Sequence, residues 1–160
     1  MKTLKDISLT DAAYAAGFFD GEGCVGVYRK KIGPRGINPR HALVISIANT
    51  NFEVLHHFHV ICGGVVQTPS RCYDKRPNRL PVGKWSAQAR EAGHILKALA
   101  PFLVVKKAQA LLAIEFADIT AAQIKGKRGM RQCRPLSPAD LAYRESVYER
   151  LKAMKRQPNP

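Results

Sequence analysis

The run AAYAAGFFDGEG, residues 12–23, constrains this chain more than any other stretch. Ala12, Ala13, Tyr14, Ala15, Ala16, Phe18 and Phe19 are almost continuously apolar, so a helix through them must be buried on nearly every side. Ser8, followed three residues later by Asp11, carries the start signal of that helix, predicted over residues 8–21. Ala13, Ala16, Gly17 and Asp20 share one side at helical spacing and offer almost no side-chain bulk. Another backbone can approach such a side closely, and a subunit interface accounts for it better than packing within one chain. The run ends in Asp20 and Glu22, each followed by glycine, at the helix end that favours cations. Asp20 suits backbone or cross-helix hydrogen bonds, and Glu22 suits an outward position. Spacing alone leaves open a purely structural role for both acids, as caps on the turn into the next strand.

Charge narrows the choice. There are 26 Lys and Arg against 12 Asp and Glu, a formal net charge of +14. Such a surface attracts polyanions, nucleic acid first among them. An acid pointing out of it would repel phosphate unless a divalent cation lies between, and Mg²⁺ accepts carboxylate, phosphate and water oxygens together.

The 160 residues suit one domain over 1–160, with 125–136 as a basic linker to a C-terminal helix. No apolar run approaches the ~20 residues of a membrane span, and the N-terminus shows no secretory signal. The expected location is the cytoplasm or nucleoid, or an organelle matrix, rather than outside the cell. Cys24, Cys62, Cys72 and Cys133 form no CxxC pair and read as free thiols of a reducing compartment.

Residues 24–30 alternate as a strand, with Val25, Val27 and Arg29 on one side and Gly26, Tyr28 and Lys30 on the other. A basic loop follows, then a strand over 42–49 and a helix over 52–62. Val65–Gln67 and Lys84–Gln88 read as a second hairpin, and 91–99 as a helix that stops near Pro101. Residues 102–125 are the longest helical stretch, with room for a turn in their early part. A last helix starts after Ser137, with Pro138 at its first position, and runs to about Arg156. The class is α+β. An antiparallel sheet with helices on one face would leave its other face to solvent, and such ribbons fit the DNA major groove.

The segment YAAGFFDGEG, residues 14–23, resembles the signature of the LAGLIDADG homing endonucleases. LAPFLVVKKAQA, residues 99–110, resembles the family's second conserved region, and the likeness covers most of the first 115 residues as order and spacing of elements. The resemblance implies an α-β-β-α-β-β-α core with a saddle-shaped antiparallel sheet. It implies a homodimer, because one motif is present, with the motif helices packed across the two-fold axis at Ala13, Ala16, Gly17 and Asp20. It assigns Glu22 as the metal-binding acid, with the Gly21 carbonyl as a further ligand, Mg²⁺ as cofactor and Mn²⁺ as a substitute. Lys106, with Lys107 as the alternative, would order the water and offset charge, and Asn51 would sit near the attacking water. The family's remaining basic group has no match in FEVLHHFH; His56 or Arg71 are substitutes. The implied reaction is hydrolysis of both strands of a long pseudo-palindromic duplex by a metal-activated water, leaving four-base 3′ overhangs. An intron-RNA maturase or an inactive DNA-binding relative is the alternative.

Base reading would fall to the open face of the sheet. Arg29, Arg35, Arg40, Arg71, Lys75, Arg76, Arg79 and Lys84 are suited to guanine edges or phosphates, and Asn38, Gln67, Asn78 and Gln88 to adenine.

Overall fold

The structure, a computed structural model, describes residues 7–30, 39–68, 80–125 and 136–156. Helix α1 spans Leu9–Glu22, and the Ser8 hydroxyl accepts the Asp11 N–H at its start. Ala12, Ala15, Ala16 and Phe19 face the core, whereas Leu9, Ala13, Gly17 and Gly21 form an exposed i, i+4 row. Within one copy the helix is therefore buried on one side only.

Strand β1 (Gly23–Lys30) pairs antiparallel with β2 (Arg40–Asn49), and β2 pairs with β4 (Gly83–Gln88), which pairs with the short β3 (Val65–Gln67). The sheet order is β1-β2-β4-β3. Alternation places Val25, Val27, Leu43, Ile45, Ile47, Trp85 and Ala87 on the buried face. Helices α2 (Phe52–Cys62), α3 (Ala89–Leu99), α4 (Lys107–Lys125) and α5 (Pro138–Met154) complete the described chain. The expected α-β-β-α-β-β-α order is present, followed by two further helices, and each strand and helix begins or ends within about two residues of its sequence estimate.

One core joins these elements. Phe19, Phe58, Trp85, Ile95, Leu96 and Phe116 are fully buried, and Val147 and Leu151 bring α5 into the same cluster. Trp85 stacks edge-on against Phe58 at 4.6 Å and donates its indole N–H to the Gly63 carbonyl at 2.7 Å. Gly63 and Gly64 turn at φ near +76° and +77°, which other residues avoid, and a Cβ on Gly64 would strike the indole. The polar indole atom is satisfied only because this turn aims a carbonyl at it.

Candidate functional site

The end of α1 answers the puzzle of its acids. Lys106 occupies the cap position before α4, since its carbonyl accepts the Ala110 N–H at 2.8 Å. The loop just before α4, residues 104–106, has backbone N–H groups that need an acceptor from elsewhere. Asp20 supplies it. Its carboxylate accepts the N–H groups of Val104 at 2.7 Å, Val105 at 3.1 Å and Lys106 at 2.8 Å. Asp20 thus stands at the unfavourable end of one helix dipole and the favourable end of another. The Lys106 ammonium in turn donates to the Asp20 backbone carbonyl, which α1 leaves unbonded at its terminus. These bonds also explain why α4 begins only at Lys107.

This corrects the expected interface. Asp20 binds within its own chain, and Ala16 is fully buried in its own core. Ala13 and Gly17 remain on the exposed row with Leu9 and Gly21. A Cβ added at Gly17 or Gly21 would meet nothing within 4 Å.

Glu22 is exposed, and no hydrogen bond or ion pair engages it among the described residues. A pocket of ≈ 230 Å³ opens at the next residues of the chain, lined by Gly23, Cys24, Lys106, Gln109 and Lys155 among others. Lys155 reaches this pocket from the end of α5, with its ammonium 3.2 Å from the Cys24 sulfur. Sequence reading missed Lys155 and Gln109; a helix starting at Pro138 reveals nothing by itself of where its far end lands.

Oxygen donors at the site suit a hard divalent cation: the Glu22 carboxylate and the Gly21 carbonyl at the helix end. Among the described residues no three His, Cys, Asp or Glu side chains are grouped to hold a metal ion. Register places the end of β2 nearby, because Ile47 pairs with Gly23. Asn51 is committed locally. Its side-chain oxygen accepts the Val54 N–H at 3.2 Å and caps α2, while Asn49 accepts the Asn51 N–H at 2.8 Å. His56 is exposed on α2.

The open face of the sheet holds a trough of ≈ 400 Å³ lined by Tyr28, Ala42, Val44, Gln67, Lys84, Ser86 and Gln88. Gln67, Lys84 and Gln88 were expected there; Tyr28, Val44 and Ser86 were not. Gln88 precedes α3 without a side-chain capping bond, which leaves its amide to the trough. Arg29 is a correction. It shares the side of Val25 and Val27, so it points into the helix layer, where it pairs with Glu145 and lies 5.1 Å over the Tyr148 ring. Glu145 also bonds the buried His41 at 2.9 Å. The His41 bond, then Arg29, hold its carboxyl below the ordinary carboxylate range. The Arg40 side chain, Arg35, Asn38, Arg71, Lys75, Arg76, Asn78 and Arg79 lie outside the described residues.

The thiols divide. Cys62 is buried, and burial first, then Asp11, push it up to about 12, which makes it unreactive near neutrality. Cys24 is exposed. Cys72 and Cys133 lie outside the described residues. No described helix is long and apolar enough to cross a membrane.

No protein-family model matches the sequence, and no curated protein matches it significantly. Solved structures do. The homing endonuclease I-CvuI in complex with DNA aligns at a TM-score of 0.56 and 19% identity over 93% of this chain and 97% of its own. The archaeal intron-encoded homing endonuclease I-Vdi141I, complexed with DNA, aligns at 0.56 and 22% identity over 90% and 98%. The I-SmaMI LAGLIDADG homing endonuclease, bound to cleaved DNA, aligns at 0.64 and 16% identity, over 86% of this chain but 42% of its own. The chain has the LAGLIDADG endonuclease fold, in support of the resemblance carried by residues 14–23.

Proposed function

We propose that the chain is a homodimeric, divalent-metal-dependent DNA endonuclease of the homing type. The observation that carries this reading is Glu22: an exposed carboxylate at the end of the motif helix, unengaged among the described residues, directly before the residues that line a pocket with two lysines, in a protein of net charge +14. A protein that only binds phosphate gains nothing from a free acid there, because like charges repel.

The exposed row of Leu9, Ala13, Gly17 and Gly21 receives the same row of a second copy, which brings two Glu22 side chains together. Full coverage of I-CvuI and I-Vdi141I against 42% of I-SmaMI supports this, since the longer chain has room for two such units. Glu22 from each copy and the Gly21 carbonyl would hold Mg²⁺, which when bound supplies positive charge to acidify water and to stabilise charge building on phosphorus. Lys106, fixed through Asp20, holds its ammonium where a phosphoryl oxygen gains charge. Asn51, rigid as a cap, orients water near the β2 end. The sheet trough reads bases, and both strands are cut to leave four-base 3′ overhangs.

The test is cleavage of a randomised duplex library with Mg²⁺ beside a Glu22→Gln control, with the ends sequenced. Cuts at one long, nearly palindromic site, absent from the control, are expected. Binding of a selected duplex without cutting by the native chain would sink the nuclease reading.

A further inference from the structure

The end of α5 reaches the pocket from outside the elements that carry the motif. Glu145 ties α5 to Arg29 on β1 and His41 on β2, and Val147 and Leu151 bury the helix against the core. From Glu145 to Lys155 a helix advances about 15 Å. From Arg29 back to Cys24 a strand covers about 17 Å. The lengths match, so α5 runs beside β1 and delivers Lys155 level with Cys24, where the 3.2 Å contact is found. β1 is an edge strand, so a side chain from the helix layer can pass around it onto the open face. Gly26 leaves the room: a Cβ there would stand 2.9 Å from the Lys155 ammonium.

Three described cations on other surfaces face carboxylates. Lys97 faces Asp118, Lys152 faces Glu149 and Arg29 faces Glu145. Lys155 instead meets a cysteine sulfur, a weak acceptor, and Lys106 meets a backbone carbonyl. Two ammonium groups therefore line one pocket, neither bonded to a carboxylate among the described residues, and Gln109 lines it with them. That combination selects an anion with several acceptor oxygens.

We propose that Lys155 is a substrate-binding residue of this pocket, gripping a duplex-DNA phosphodiester together with Lys106 and Gln109. The choice of DNA rests on the endonuclease reading; the anion site rests on the pocket. A phosphate seated there would fix the backbone for attack.

The test uses the full chain and a random-sequence 30-base-pair duplex pool without Mg²⁺, so it needs neither the target nor cleavage. Lys155→Met should weaken binding and lower the slope of log affinity against log salt by about one unit per chain. Lys155→Arg should restore it, and Lys152→Met, on a lysine already paired, should leave it unchanged. The duplex should also shield Cys24 from iodoacetamide, followed at its peptide by mass spectrometry. Gly26→Ala, which displaces only a flexible side-chain end, should reproduce part of the Lys155→Met loss. An unchanged slope in Lys155→Met, or a Cys24 equally reactive with DNA bound, would overturn the proposal. Protection by single-stranded RNA but not by duplex would overturn the DNA assignment. A chain that passes these tests but never cuts DNA refutes the endonuclease reading alone.

Discussion

The Asp20 carboxylate holds the backbone N–H groups of the loop that leads into α4, and the Lys106 ammonium bonds the Asp20 carbonyl in the last turn of α1. Each residue satisfies backbone groups of the other's segment. Asp20→Ala strands three N–H groups at 104–106 and frees the anchor of Lys106. The expected loss is about 2–3 kcal/mol, with cleavage falling alongside. Asp20→Asn, which keeps an acceptor but not the charge, should lose about half as much. Urea unfolding of the two variants measures both.

Glu22 should behave in the opposite way. It is exposed and holds nothing among the described residues, so Glu22→Gln should change stability by no more than about 0.5 kcal/mol. Duplex binding should persist while cleavage falls by at least about 10³-fold, the scale of a lost charge-stabilising group. A large loss of stability would mean that Glu22 is a cap after all.

The contrast between these acids shows what the sequence could and could not tell. Helix α1, its Ser8 cap and the alternation of β1 and β2 follow from local patterns, because their causes lie within a few residues. That Asp20 is structural was also legible, since a carboxylate at a helix end demands a partner. Its partner was not, because residues 104–106 lie more than eighty positions away. Ala16 and Gly17 look alike in sequence, yet one is core and one is surface; a small-residue row reads the same to its own chain and to a second copy. Arg29 was misjudged for another reason. Composition pointed it at DNA, while the alternation shared with Val25 and Val27 already placed it on the covered face. Lys155 could not be read at all, because its position depends on where the rest of α5 docks.

Gly17 offers a clean probe of assembly. Nothing within one copy opposes a side chain there, and leaving glycine favours the helix by up to about 1 kcal/mol. Gly17→Leu should therefore keep or raise the stability of the folded monomer. It should separate the motif helices of a dimer by the width of a side chain. Sedimentation should show a dimer for the native chain and a monomer for the variant, with cleavage lost. A native chain that sediments as a monomer at every concentration would contradict the assembly.

The trough between Tyr28 and Gln88 makes a prediction about sequence preference. Gln67 and Gln88 can each pair with adenine, and Val44 and Ala42 present apolar surface to a thymine methyl. Binding selection from a random pool should enrich A·T pairs at one symmetric pair of positions. Gln88→Ala should relax that preference by about 1–3 kcal/mol and leave other positions unchanged.

Glu145 links stability to pH through the contacts that hold α5. The His41 hydrogen bond, reinforced by Arg29, depresses its carboxyl below the ordinary value of 4.5. A carboxyl depressed in the folded chain binds its proton more readily when unfolded, so folding gains stability above the ordinary range. That gain is lost as pH falls through the depressed value. Glu145→Gln removes the linkage, so the native chain should melt higher than the variant at pH 6, and the gap should hold to about pH 5. It should then narrow, and close once pH has fallen through the depressed value. The same substitution loosens the anchor that sets the position of Lys155, so duplex affinity at pH 7 should fall together with the melting temperature. A gap that stays constant down to pH 2, measured by thermal unfolding, would show that Glu145 does not carry the docking of α5.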